Sequence, residues 1–216
     1  MKNGFFNKFF KDDIIEERLI NLDSVFDVTN GTTPSTKNKQ YWDNPTINWI
    51  TPADLGKLDG KITIEESERK ISELALNEVN LTLMPKQSIV LSTRAPVGYV
   101  VVITKESTIN QGCKGLIPKN KEKVNPYYYC YYLSSKTYML QNKAGQSTFK
   151  ELSTKLLKQF EVPEIDIIKQ NKIAEILLTI DDRIALENKR KGKLETIKKG
   201  LMTDLLTGKK RIKIAR

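Results

Sequence analysis

Histidine is absent from all 216 residues. The chain therefore lacks the commonest general base of enzymes and the commonest transition-metal ligand. No Ser-His-Asp or Cys-His site can be assembled from it alone. Cysteine occurs only at Cys113 and Cys130, too few for a disulfide framework or a metal cluster. The expectation is two reduced, buried thiols in a cytoplasmic protein. No apolar run reaches the roughly 18 residues of a membrane span. The opening MKNGFFNKFFKDDII is too charged for a signal peptide, and Phe5, Phe6, Phe9 and Phe10 suit one side of a short helix instead. A GxxxxGK[ST] loop is missing, which argues against ATP hydrolysis. No glycine-rich loop follows a strand to hold AdoMet. Asn125-Pro126-Tyr127-Tyr128 is similar to the Asn-Pro-Pro-Tyr of amino-methyltransferases but lacks the second proline. The acidic pairs Asp12-Asp13, Glu65-Glu66 and Asp181-Asp182 lie in charged stretches without metal-site context.

What is present supports a real core: 39% of residues are hydrophobic and 8% aromatic. The length fits one ordinary domain plus an appendage, or two small domains. The net charge of +10 is unevenly spread. Residues 1–168 hold 22 basic and 20 acidic side chains, whereas residues 189–216 hold 11 basic and two acidic. Such a tail is either a solvated helix end, where cations are favoured, or a surface for phosphates.

The most pronounced pattern is a long amphipathic helix beginning near Lys169. Its apolar residues Ile173, Leu177, Ile180, Ile184, Leu194, Ile197, Leu201 and Leu205 recur at mostly three- and four-residue spacings, a narrow seam of the coiled-coil kind. Glu187, Lys191 and Lys198 interrupt that register, and Gly192 and Gly200 each cost about 1 kcal/mol relative to alanine. The helix thus needs a partner to bury its stripe. It either folds back on its own domain or projects. A span of about 55 Å, at ~1.5 Å per residue, favours projection and pairing.

Ahead of it, residues 1–165 read as one mixed α+β globular domain, with residues 1–18 a helical lead-in and residues 166–216 the spacer helix with its basic tail. LINLDSVFDVTNG reads as a strand or short element closing on a glycine turn, TTPSTKNKQ as a polar loop, and TINWITPADL as strand-like. Residues 59–70 are charged and irregular, and ISELALNEVN has helical spacing. MPKQSIVLSTRAPVGYVVVIT forms a strand pair around a Pro-Gly turn, and INQGCKGLIPK is a further strand. VNPYYYCYYLSSKTYMLQNKA reads as one helix with Pro126 in its first turn. Five tyrosines within six residues must point all round such a helix. Core packing is therefore favoured over stacking on bases.

The polar loops offer the best recognition chemistry. Thr33, Ser35, Thr36, Lys37, Lys39 and Tyr41 lie on one flexible stretch, and Arg94, Gln111 and Lys114 form a second set. Arginine reads guanine edges, and asparagine or glutamine reads adenine. Alternatively, the short polar side chains simply satisfy turn backbones.

Together these segments resemble the specificity subunit of type I restriction–modification enzymes (HsdS). NGTTPSTKNKQYWDNPTINWITPADL is similar to the opening of a target recognition domain of that family, with its GGTPST-like loop, YW, and WIT-x-x-DL. LMPKQSIVLSTRAPVG, INQGCKGLIP, NPYYYCYYL, GQSTFKELS, QNKIAEILLTIDDRI and KKGLMTDLLTGKKR follow in order. The resemblance implies a non-catalytic, sequence-specific DNA-binding subunit reading one half of a bipartite target on double-stranded DNA. It implies modification and restriction subunits as partners. No cofactor would be bound by this chain, and AdoMet, ATP and Mg would belong to those partners. The family usually carries two recognition domains and two such helices, whereas here each occurs once. The chain is then a natural half-length subunit or the C-terminal half of a longer one. A single helix copy implies a homodimer through the seam, antiparallel, with an inverted-repeat target. Asn30 replaces a frequent family glycine, and asparagine tolerates the left-handed conformation expected of that turn. Because members read different targets, family-like Trp42, Trp49, Gly98 and Gly145 are expected to keep the fold rather than read bases. Other readings stay open: a coiled-coil adaptor binding only proteins, a specificity partner of a nuclease–methyltransferase fusion, and a chain that regulates a full-length specificity subunit by exchange.

Overall fold

The computed structural model describes residues 17–94, 96–145 and 151–211. The phenylalanine-bearing helix expected at the start lies outside them. Two compact units divide between Ala174 and Glu175, some nine residues past the boundary expected at 165/166.

In the first unit, β6 (Ile89–Ser92) and β7 (Val100–Ile103) are buried at every position. Their unbroken β-branched and leucine runs suit strands covered on both faces. They pair antiparallel, Ile89 opposite Val102, around the expected turn. Gly98 in that turn has φ +96°, and a Cβ there would meet the Thr137 methyl at 2.6 Å. A five-stranded sheet grows from this pair, with β2 (Phe26–Asn30), β9 (Cys113–Pro118), β6, β7 and β4 (Thr63–Ile64) in spatial order. A second sheet places β3 (Ile47–Ile50) between β5 (Lys70–Ile71) and β8 (Ser107–Ile109), parallel to β8. Strand β1 (Leu19–Asn21) pairs with β10 (Glu161–Pro163). The main core joins Ile50, Leu55, Ile64, Met84, Val90, Val101, Ile103, Ile109 and Cys113.

The helices follow local signals. After β3, Thr51 and Asp54 form a reciprocal capping box with Pro52 at the first position, so TPADL starts helix α2 (Pro52–Gly56) rather than extending the strand; α1 is the single turn Leu22–Val25. Helix α3 (Glu73–Glu78) is capped by Ser72. The stretch expected to be one helix is two, α4 (Pro126–Ser135) and α5 (Thr137–Gly145), which break at Lys136. Four tyrosines of α4, Tyr128, Tyr129, Tyr131 and Tyr132, are buried, as core packing requires. Tyr129 meets Phe26 edge to face at 5.3 Å and donates its hydroxyl to the Pro163 carbonyl. After α6 (Thr154–Lys158) and β10 comes α7 (Ile167–Leu206), 40 residues or about 60 Å. Its first turns are fastened within the first unit by Gln170, which is 1% exposed. Gln170 donates to the carbonyls of Lys123 and Ile165 and accepts from the backbone N–H of Asn125. Among the described residues no helix is long and apolar enough to cross a membrane.

Candidate functional site

The polar loop begins where β2 leaves the sheet. Asn30 lies opposite Lys114 in β9, and the Gly31 N–H donates to the Cys113 carbonyl at 3.4 Å. The Thr32 N–H donates to Ile109 at 3.1 Å. A Cβ on Gly31 would sit 1.9 Å from the Asn110 carbonyl oxygen, so glycine is needed here for close backbone approach. The expectation of a left-handed turn is corrected: neither Asn30 nor Gly31 has positive φ. Asn30 is a strand residue whose side-chain oxygen accepts the Thr154 hydroxyl at 2.7 Å.

Two indoles pin the loop. Trp49 donates Nε1–H to the Thr32 carbonyl at 3.0 Å, and Trp42 donates to the Ser35 carbonyl at 3.2 Å. The rings meet edge to face with centroids 5.3 Å apart. Beneath them lie Ile71 and Ala75, joined by Tyr41, Ile47 and Leu81. Both tryptophans thus hold backbone in place, as their fold-keeping role requires. The Asn110 side chain donates to Thr33 Oγ1 at 3.1 Å and accepts from the Gly112 N–H at 2.7 Å. Asn38 accepts from the Gln40 N–H and opens the 3-10 turn Lys39–Tyr41.

Of the first set of candidates, Thr33, Ser35, Thr36, Lys37 and Lys39 are exposed on this pinned backbone. Tyr41 is half-buried, with its hydroxyl engaged by the Glu78 carboxylate at 3.0 Å and its carbonyl by the Ser72 N–H. The second set divides. Gln111 is exposed in the turn beside Asn110, next to Thr33. Arg94 and Lys114 instead gather around Glu151, at 3.0 Å and 4.0 Å. Lys114 is 8% exposed, and burial holds its ammonium below the ordinary lysine range against the opposing pull of Glu151. Arg69 and Glu151 are not among the residues that the sequence singles out, and the Asn110–Gln111 pair offers donors and acceptors without showing that Asn110 reaches Thr33. Their parts depend on partners 30 or more positions away, or on ring stacking, and no local pattern encodes either.

The remaining candidates have structural duties. Asn125-Pro126 is a helix start: Asn125 accepts from the N–H groups of Tyr127 and Tyr128, and Pro126 occupies the first turn. Burial pushes the phenols of Tyr129 and Tyr132 up to about 12 and raises Tyr128 further, so all three stay neutral in the core. Both cysteines are buried thiols outside any disulfide, and desolvation pushes the Cys113 thiol up to about 12, which suppresses its thiolate. Among the described residues no three His, Cys, Asp or Glu side chains gather to hold a metal ion.

On α7, the seam residues differ in accessibility. Leu177 is 2% exposed, and Ile173, Ile180 and Ile184 are half-buried. Leu194, Ile197, Leu201 and Leu205 are 65%, 57%, 47% and 42% exposed. Spacings of three, four and four put these four on one stripe.

A family profile described as the type I restriction modification DNA specificity domain matches residues 17–196. The type I restriction enzyme MjaIX specificity subunit of Methanocaldococcus jannaschii is 40% identical over 170 residues, covering 79% of this chain and 38% of that protein. The EcoR124I/EcoR124II specificity subunit of Escherichia coli is 28% identical over 155 residues, covering 70% of this chain and 37% of that protein. The crystal structure of the HsdS subunit from Thermoanaerobacter tengcongensis shares the fold, with TM-score 0.67 at 17% identity over 94% of this chain and 48% of that one. The chain therefore spans under half the length of these relatives.

Proposed function

Because the chain belongs to the family of type I restriction–modification DNA specificity domains, we propose that it reads one half of a bipartite target on double-stranded DNA. The observation that carries this is the pinned loop. Two tryptophans fix its backbone at Thr32 and Ser35 and Asn110 holds the Thr33 side chain, while Thr36, Lys37 and Lys39 stay exposed and the Ser35 hydroxyl accepts the Lys37 N–H at 3.3 Å. A rigid backbone bearing exposed donors and acceptors suits base edges and phosphates, because little ordering is left for the moment of binding. The chain itself is non-catalytic in this reading. Adenine methylation, DNA cleavage, AdoMet, ATP and Mg belong to modification and restriction subunits that dock on it.

The single recognition unit and single long helix support a homodimer. The exposed stripe of Leu194, Ile197, Leu201 and Leu205 wants an apolar partner, and a second copy supplies the same stripe. An antiparallel pair would set two recognition units apart and demand an inverted-repeat target with a fixed spacer. Methylome sequencing of cells expressing this chain with its modification subunit tests the proposal. A symmetric, interrupted adenine motif is the expected result. An asymmetric motif would refute self-pairing and favour a second recognition domain from elsewhere. No new motif would refute DNA specificity.

A further inference from the structure

The charged stretch 65–70 contains one side chain whose partner differs from all the rest. Lys105 lies 3.0 Å from Glu65 and 2.6 Å from Glu66, and Lys70 also reaches Glu66. Glu68 pairs with Lys57. Arg69 forms no ion pair with any described residue, although Lys and Glu on both sides of it do. Its guanidinium carbon instead lies 4.0 Å from the centroid of Trp42 and 5.2 Å from that of Trp49. The two rings that carry it are the same two whose indole N–H groups hold the recognition loop at Thr32 and Ser35.

From this geometry we infer that Arg69 is a DNA-backbone contact, holding a phosphate diester beside the bases read by the loop; the inference rests on the DNA-specificity reading above. A guanidinium stacked on aromatic faces keeps its charge and its N–H donors, and stacking removes much of the rotamer freedom that binding would otherwise cost. The residue is exposed, so these donors are accessible. No carboxylate among the described residues pairs with it, and Glu78 instead accepts the Tyr41 hydroxyl. Phosphate suits this site better than a base edge. Arg69 is aimed by the half-buried Trp42 and the buried Trp49 and cannot be re-aimed without disturbing the loop root. A fixed donor of this kind sets register, whereas reading falls to the loop side chains.

The test uses the complex of the full chain with its modification subunit and measures DNA binding against salt, on target and scrambled duplexes. Arg69→Met keeps a long apolar stem over the rings and removes the charge. It is expected to weaken both duplexes alike, by roughly 5–10-fold at about 0.1 M salt, and to reduce the log–log salt slope by about 0.9. Arg69→Lys keeps the charge and is expected to retain most of that slope. An unchanged slope in Arg69→Met, with altered tryptophan emission, would show that the residue only caps the rings and would overturn the inference. Loss confined to the target duplex, or a changed methylation motif, would make it a base contact and equally overturn it. If the unsubstituted complex fails to prefer its target, the specificity reading itself falls, independently of Arg69.

Discussion

One substitution made at two glycines should have opposite effects, and the structure supplies both magnitudes. In Gly31→Ala the new Cβ would start 1.9 Å from the Asn110 carbonyl oxygen, and ordinary contact begins at 3.4 Å. The loop root and the 109–113 segment must therefore separate by roughly 1.5 Å. Two backbone hydrogen bonds, Gly31 to Cys113 and Thr32 to Ile109, span that gap. Losing them removes about 0.5–1.5 kcal/mol each. Forced overpacking adds about 1–3 kcal/mol. The expected loss is about 2–6 kcal/mol, a large part of a typical total of about 5–15 kcal/mol. For a chain of this size that lowers Tm by at least about 4 °C. Trp42 and Trp49 are the chain's two tryptophans and both bind this loop, so their fluorescence during urea unfolding reports on the altered region. In Gly192→Ala, by contrast, the Cβ meets nothing within 4 Å, in the middle of a 40-residue helix. Removing backbone freedom there should stabilise the helix by about 0.5–1 kcal/mol, read by circular dichroism on heating. An unchanged midpoint and emission for Gly31→Ala would refute the packing of the loop root against residues 109–113.

Three further outcomes are expected. Leu194→Asp with Leu201→Asp places charge on the exposed stripe of α7 and should give monomers by sedimentation with tryptophan emission intact; a persisting dimer would exclude the seam as the pairing surface. Lys37→Ala should weaken binding to all sequences and lower the salt slope, and an unchanged slope would remove it from the phosphate contacts. Glu151→Gln breaks the exposed contact with Arg94 at 3.0 Å, worth up to about 1 kcal/mol and unchanged between neutral and alkaline pH because arginine stays charged, and it takes the counter-charge from Lys114, whose side chain is 10% exposed. At 4.0 Å the Lys114 pair is at the outer limit of contact, so its loss should be about 1–2 kcal/mol rather than the ~3–5 kcal/mol of a tight buried pair. The Lys114 pKa is depressed in the folded state. As pH rises toward 10.5 the unfolded chain therefore holds more protons than the folded one, and stability rises. The Glu151→Gln deficit should accordingly shrink between neutral and alkaline pH, and urea midpoints with equal deficits at both would contradict the charge pairing.

Much of this protein follows from patterns that act over a few residues. The absence of histidine and of phosphate-binding glycine loops, the β-branched runs of β6 and β7, the tyrosine-packed α4 and the long heptad-like helix are all readable because burial and periodicity are local properties. The helix start at Thr51-Pro52 was equally local but was masked by the apolar spacing around it, and Lys136 gives no sign that it breaks a helix in two. The candidate loop was legible as polar and exposed. What fixes it was not: Trp42 and Trp49 as loop tethers, Asn110 across to Thr33, Glu151 between Arg94 and Lys114, and Arg69 laid on two indole rings. Each of these joins residues brought together by strand pairing and sheet packing. Sequence alone thus determined what kind of chain this is and which segment carries recognition chemistry. Only the tertiary structure decided which charges are neutralised and which stand free, because that depends on neighbours in space.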